Sequence, residues 1–206
     1  MTDNIEKSPW FSIWTKPRST IRHVINTDPK QSLWWLATIY ILQTLLFFAN
    51  YHSFGLNYHT VIILIISLVL APFVGMIWLY LFGWVLHFTG KWLGGDAPNH
   101  HVRAALAWSK VPVLINLAMW FILLIFSSSY VFVQFSSGPS MIFIQLITLI
   151  SGVWSLVILI QNISEIQGFS IGRAIGNWAL FFVFGFIISF AITLLFQFGM
   201  GMIGQI

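Results

Sequence analysis

The chain has 206 residues, of which nine are Lys or Arg and five Asp or Glu, while 58% are hydrophobic, a balance that belongs to membrane proteins and excludes most soluble domains. Its formal net charge of +4 would suggest nucleic acid in a soluble chain; here topology and anionic headgroups account for it, and no nucleic-acid partner is expected. Cysteine is absent, which removes disulfides, thiolate metal sites and thiol nucleophiles together.

The first 31 residues read as a cytoplasmic tail. The start MTDNIEKSPW is acidic and polar rather than basic and then apolar, unlike a cleavable signal peptide, so the first apolar run is expected to persist as an anchor. Within TKPRSTIRHVINTDPK, Thr15 is placed to cap a helix whose first turn holds Pro17 and whose end is set by Asp28-Pro29. Ile21, Val24 and Ile25 share one face, Arg18 and Arg22 another, and Trp10, Phe11 and Trp14 suit the headgroup boundary. The expectation is an amphipathic interfacial helix on the cytoplasmic leaflet, with anionic headgroups as its ligand; a protein partner docking there is the alternative.

Residues 32–206 form the membrane domain, in which residues 31–90, 111–164 and 174–206 carry no Asp, Glu, Lys or Arg. A spanning helix needs about 20 apolar residues. The polar turn NYHSFGLNYH divides the first tract, and SSSYVFVQFSSGPS with its Gly138-Pro139 breaker divides the second. Five spans follow, near 33–49, 60–89, 112–126, 141–160 and 175–198. Lys7, Lys16, Arg18, Arg22 and Lys30 precede the first, Lys91, Arg103 and Lys110 lie between the second and third, and Arg173 lies between the fourth and fifth. The turns inside the tracts contain no basic residue, so the positive-inside rule puts the N-terminus in the cytoplasm and the C-terminus opposite. The fold class is therefore all-α and polytopic.

Between the second and third spans, the turn GGDAPN precedes a short helix in which Asn99 is the expected cap; Val102, Leu106 and Ala105 face the bundle, and Arg103 and Lys110 face water or phosphate. In SEIQGFSIGRAIGNW, Gly168, Gly172 and Gly176 recur every fourth residue and would form a smooth stripe for helix packing, within the chain or between copies of a homo-oligomer. Pro72 interrupts the long second run, flanked by Ala71 and Gly75, as a packing kink or as a gate. His87 and Asn116 are the polar groups to weigh for function within the bundle. His-Glu-x-x-His and Gly-x-Ser-x-Gly spacings are missing, adjacent His100 and His101 diverge on a helix, and the apolar tracts hold no carboxylate for a proton relay. Catalytic residues, cofactor and metal are accordingly not expected.

Three stretches carry a family resemblance: SPWFSIWTKPRSTIRHVINTDPK before the first span, ALAWSKVPV entering the third and EIQGFSIGRAI entering the fifth. Over residues 10–198 the chain resembles the Yip1-domain membrane proteins, above all their compact bacterial members. The resemblance implies a five-helix bundle with a cytoplasmic N-terminus. Eukaryotic relatives are associated with Golgi and vesicle traffic and with prenylated Rab-type GTPases; their Asp-Pro-Tyr motif has no equivalent here, Asp28-Pro29-Lys30 being different, so that activity is not expected. The resulting expectation is a non-enzymatic integral membrane protein, in the inner membrane of a bacterium or an endomembrane of a eukaryote, whose cytoplasmic segments form an interaction platform for membrane organisation or trafficking-like roles. The alternative is a small permeation protein for ions or lipid, with a path near Pro72, His87 and Asn116.

Overall fold

The computed structural model describes residues 8–30, 32–126, 131–133 and 139–203. Lys7 of the tail and Gly138 of the expected breaker lie outside the described residues. Among them the chain is helical without a strand: α1 (Pro9–Ser12), α2 (Pro17–Thr27), α3 (Leu33–Tyr51), α4 (Thr60–Trp92), α5 (Asn99–Trp108), α6 (Leu114–Phe126), α7 (Pro139–Gln167) and α8 (Ile171–Ile203), with 3-10 turns at Phe54–Leu56 and Val111–Val113.

Four helical runs are long and apolar enough to cross a bilayer, namely Leu33–Tyr51, Thr60–Trp92, Asn99–Phe126 and Ile142–Gln167; Ile171–Ile187 within α8 is a shorter apolar stretch. The third differs from the expected span at 112–126. α6 alone has 13 residues, about 20 Å of rise, and the 3-10 turn around Pro112 joins it to α5 because proline removes one helical donor. The capping residues differ too. Lys16 and Pro98 occupy the N-cap positions of α2 and α5 without side-chain caps, so Thr15 lies one residue outside its helix and Asn99 is already inside.

Most of the buried apolar residues fall into two clusters. At the end that holds the charged loops, Ile13, Ile21, Val24, Leu86, Trp108 and Ile163 belong to the larger one. At the opposite end, Leu46, Ile63, Trp120, Phe132 and Ile144 belong to the smaller, where the Trp120 and Phe132 rings stack at 5.9 Å. Two hydrogen bonds tie the α3–α4 turn to residues 131–132 there: the Asn50 side-chain amide donates to the Val131 carbonyl at 2.7 Å, and the Gly55 N–H donates to the Phe132 carbonyl at 2.8 Å. Between the two ends, Ile62, Ile65, Val69, Phe73 and Ile77 point outward from α4 as a surface for lipid.

The α3–α4 hairpin is the most extensively packed pair of helices. A Cβ on Gly75 would sit 2.9 Å from the Ala37 carbonyl, so the two backbones meet there, next to fully buried Ala71. α4 runs unbroken through Pro72. The stripe Gly168, Gly172 and Gly176 is not a seam of this kind. Gly168 ends α7 with φ +65°, and the Phe169 N–H closes back on the Ser164 carbonyl at 3.0 Å, the left-handed helix termination that glycine adopts without steric cost. A Cβ on Gly172 would meet only the Ser170 hydroxyl, at 4.0 Å, and one on Gly176 would make ordinary contact with Leu93 at 3.8 Å. The i, i+4 spacing is therefore split across a turn.

These placements separate two substitutions. Gly75→Leu drives a side chain into backbone that cannot retreat and should lower the melting temperature of the detergent-solubilised protein, by about 1–3 kcal/mol or more of stability. Gly172→Ala should leave it unchanged or slightly raised. Equal effects in a thermal unfolding assay would contradict this packing.

Candidate functional site

The charged end is a helical layer. α4 and α8 have 33 residues each and α7 has 29; at 1.5 Å per residue these run about 43–50 Å against a hydrocarbon core of about 30 Å. At the charged end, the end of α4 packs with α5, the end of α7 packs with α2 and α5, and the start of α8 packs on α4 and α7.

α2 lies on α7. Its Ile21 and Val24 are buried in the large cluster, and Ile25, Trp10 and Trp14 pack against that cluster partly buried. The Trp10 ring approaches Trp108 of α5 at 5.2 Å. Arg18 donates to the Ser164 hydroxyl at 3.2 Å, and exposed Arg22 pairs with Glu165, its Nε donating to Oε1 at 2.6 Å. The apolar face expected against the leaflet is thus covered by protein. The physical reason is that α7, longer than the hydrocarbon core is thick, offers an apolar surface of its own; of the three tail aromatics, Phe11 alone is exposed.

α5 is the centre of the layer. Val102 and every residue from Ala104 to Trp108 are buried, and three alanines let neighbouring helices close in on it. Asn162 of α7 donates to the Ala105 carbonyl at 3.3 Å. Arg103 and Lys110, expected to face water or phosphate, lie across aromatic rings. The Arg103 guanidinium is 4.4 Å from the Tyr80 ring centre, and the Lys110 ammonium is 5.0 Å from that of Tyr40 and 5.9 Å from that of Trp78, within reach of the Ser155 hydroxyl at 3.5 Å.

At the mouth of the α4–α5 loop, Gln167 accepts from the Ala97 N–H at 3.0 Å, and buried Thr89 donates to Asn177 at 2.5 Å. Gly90 makes room for both amides: a Cβ there would lie 2.5 Å from the Gln167 amide nitrogen and 3.1 Å from that of Asn177. Gln167, Asn177, Tyr40, Trp78, Ser155 and Glu165 were not singled out by sequence reasoning. The available signal was weak, namely a polar residue near the charged end of an apolar tract.

The three residues weighed for the alternative polar path lie apart. His87 is half-buried near the Ala97 backbone at the charged end, 15 residues along α4 from Pro72, or about 22 Å. Asn116 is buried and exchanges hydrogen bonds with Ser151 of α7 at 3.0 and 3.2 Å. The His100 and His101 rings touch edge to face at 4.4 Å, and no group of three or more metal-ligating side chains occurs among the described residues.

The long apolar helices and the single charged end define a helical integral membrane protein. The Yip1 domain family model matches residues 11–194, and the chain belongs to that family. No curated protein and no solved structure matches it.

Because α2 is held by apolar burial in protein, its two kinds of contact should differ in weight. Ile21→Ala should cost about 3 kcal/mol, while Arg22→Ala should cost under about 1 kcal/mol, its ion pair being two-thirds exposed at the arginine. Thermal unfolding in detergent, with protease cleavage between residues 16 and 28 as a local readout, measures both.

Proposed function

We propose that this Yip1-family protein is a non-enzymatic five-span membrane protein whose basic helical layer lies in the cytoplasm and serves as an interaction platform for membrane organisation. The observation that carries the reading is the layer itself: helices longer than a bilayer is thick converge, with α2 and α5, into a protein-cored body at the end that holds the basic residues. α8 is the fifth span, and the N-terminus is cytoplasmic with the C-terminus opposite. In a bacterium this is the inner membrane. The partner-facing surface is the outer side of α2, where Arg22, His23, Asn26 and Thr27 are exposed and the helix is held rigidly from behind. Support for a non-enzymatic role comes from the use of the polar side chains: Asn116 with Ser151, Thr89 with Asn177 and Asn162 with the Ala105 carbonyl join helices to one another.

Two measurements test the proposal. Topology reporters placed after Asn57 and at the C-terminus should read external, and those after Asp96 and Gln167 cytoplasmic; a single reversed position overturns the five-span arrangement. A photo-crosslinker at His23 or Asn26 in native membranes should capture a cytoplasmic protein, and substitutions on the outer face of α2 should abolish capture. If α2 captures nothing while liposomes show solute flux that depends on His87 or Asn116, the protein is a permeation protein instead.

A further inference from the structure

A cleft of about 210 Å³ opens between the start of α3, the middle of α4 and the first turn of α5. Three side chains on its wall are basic or imidazole: Lys30, His100 and Arg103. Trp34 and Tyr80 line it too, and Leu33, Met76 and Leu79 complete the apolar part. Among the described residues the one ion pair is Arg22–Glu165, so Arg103 faces this cleft without a carboxylate. Of the neighbouring acids, Asp28 accepts the backbone N–H of Lys30 at 2.9 Å. His100 and Arg103 lie in the first half of α5, the end where a helix dipole favours an anion.

Arg103 is held in place. A Cβ on Gly83 would come within 2.5 Å of the Arg103 Cγ, so the arginine stem crosses α4 where that helix has no side chain, and its guanidinium is laid on the Tyr80 ring. The depth of the cleft follows from helix length. Tyr80 lies 20 residues after Thr60 at the start of α4, about 30 Å of rise, and that is the thickness of the hydrocarbon core. Lys30 precedes α3 by three residues on the same level. Just below, Phe73 and Ile77 face lipid, 68% and 65% exposed.

We propose that this cleft binds the phosphate-bearing headgroup of an anionic phospholipid, with Arg103, Lys30 and His100 around the phosphate and the acyl chains running down the outer face of α4 past Ile77 and Phe73. Its volume suits a headgroup and not a whole lipid, being below the roughly 300–1,000 Å³ of pockets that enclose drug-sized ligands. A planar guanidinium gives two parallel donors to one phosphate, and an unpaired cation beside apolar surface at headgroup depth matches a ligand that carries charge at one end and hydrocarbon at the other. The site holds whether or not the layer docks a protein, so it stands apart from the platform proposal.

The test uses the purified full chain in detergent, titrated with phosphatidylglycerol, phosphatidylcholine or soluble glycerol phosphate, with melting temperature and lipid retention in native mass spectrometry as readouts. Phosphatidylglycerol should stabilise the protein and phosphatidylcholine should not. Arg103→Gln should weaken phosphatidylglycerol binding about tenfold, and Arg22→Gln, whose side chain is outside the cleft, should leave it intact. Should Arg103→Gln fail to fold, Lys30→Gln on the exposed rim carries the same comparison. Equal response to both lipids, or unaltered binding in the cleft variants, overturns the proposal. A full response to glycerol phosphate alone also overturns it, assigning the cleft to a free phosphate compound.

Discussion

The constraint on which this structure depends is the mismatch between helix length and bilayer thickness. A backbone leaving the hydrocarbon region as a loop must satisfy its polar groups in water, whereas one that continues as a helix satisfies them internally. α4, α7 and α8 continue. Where their apolar sides run past the headgroups they need cover from something other than lipid; α5 supplies it on α4, α2 and α5 supply it on α7, and α8 packs on α4 and α7. This explains why the larger buried cluster sits at the charged end and the smaller one at the opposite end. The basic residues collect at the same end, the one-sided Lys and Arg bias of loops that flank spanning helices.

Inside this frame, polar side chains act as joints between helices. Lipid hydrocarbon competes with any apolar contact, so apolar burial within the bilayer discriminates little between neighbours, and hydrogen bonds and close backbone approach decide which helices meet. The Asn116–Ser151 pair sets α6 against α7, Thr89–Asn177 sets α4 against α8, and the Gly75–Ala37 contact sets α4 against α3. Lys110 and Arg103 use aromatic faces where carboxylates are lacking. In a chain with so few acids, Tyr40, Trp78 and Tyr80 supply the negative ring surface that a buried or half-buried cation requires.

The lipid-level cleft and the cytoplasmic layer are consequences of the same geometry. Beside Tyr80 of α4, the start of α3 and the start of α5 diverge and leave a gap between the three helices. A basic gap attracts phosphate. The layer above it presents exposed polar residues of α2 on a base of buried apolar ones, which combines a water-compatible surface with a rigid support.

Residue order alone determined that this chain is helical and membrane-embedded, because long tracts without charge satisfy their backbone in lipid only as helices and the breaks between them are written in Asn, Gly, Pro and His. It also determined that Ile21, Val24 and Ile25 share a face and that the basic residues flank the tracts on one side. It could not say what covers that face. Protein and lipid present the same apolar surface, so an amphipathic pattern reads identically for both, and only the packing of α2 on the end of α7 decided for protein. Likewise Gly75 and Gly172 look equally suited to close packing in a one-dimensional pattern. The turn at Gly168 rotated one away from every neighbour, while the α3–α4 hairpin pressed the other against Ala37, since contact depends on which backbone lies opposite and spacing along a single helix does not encode that.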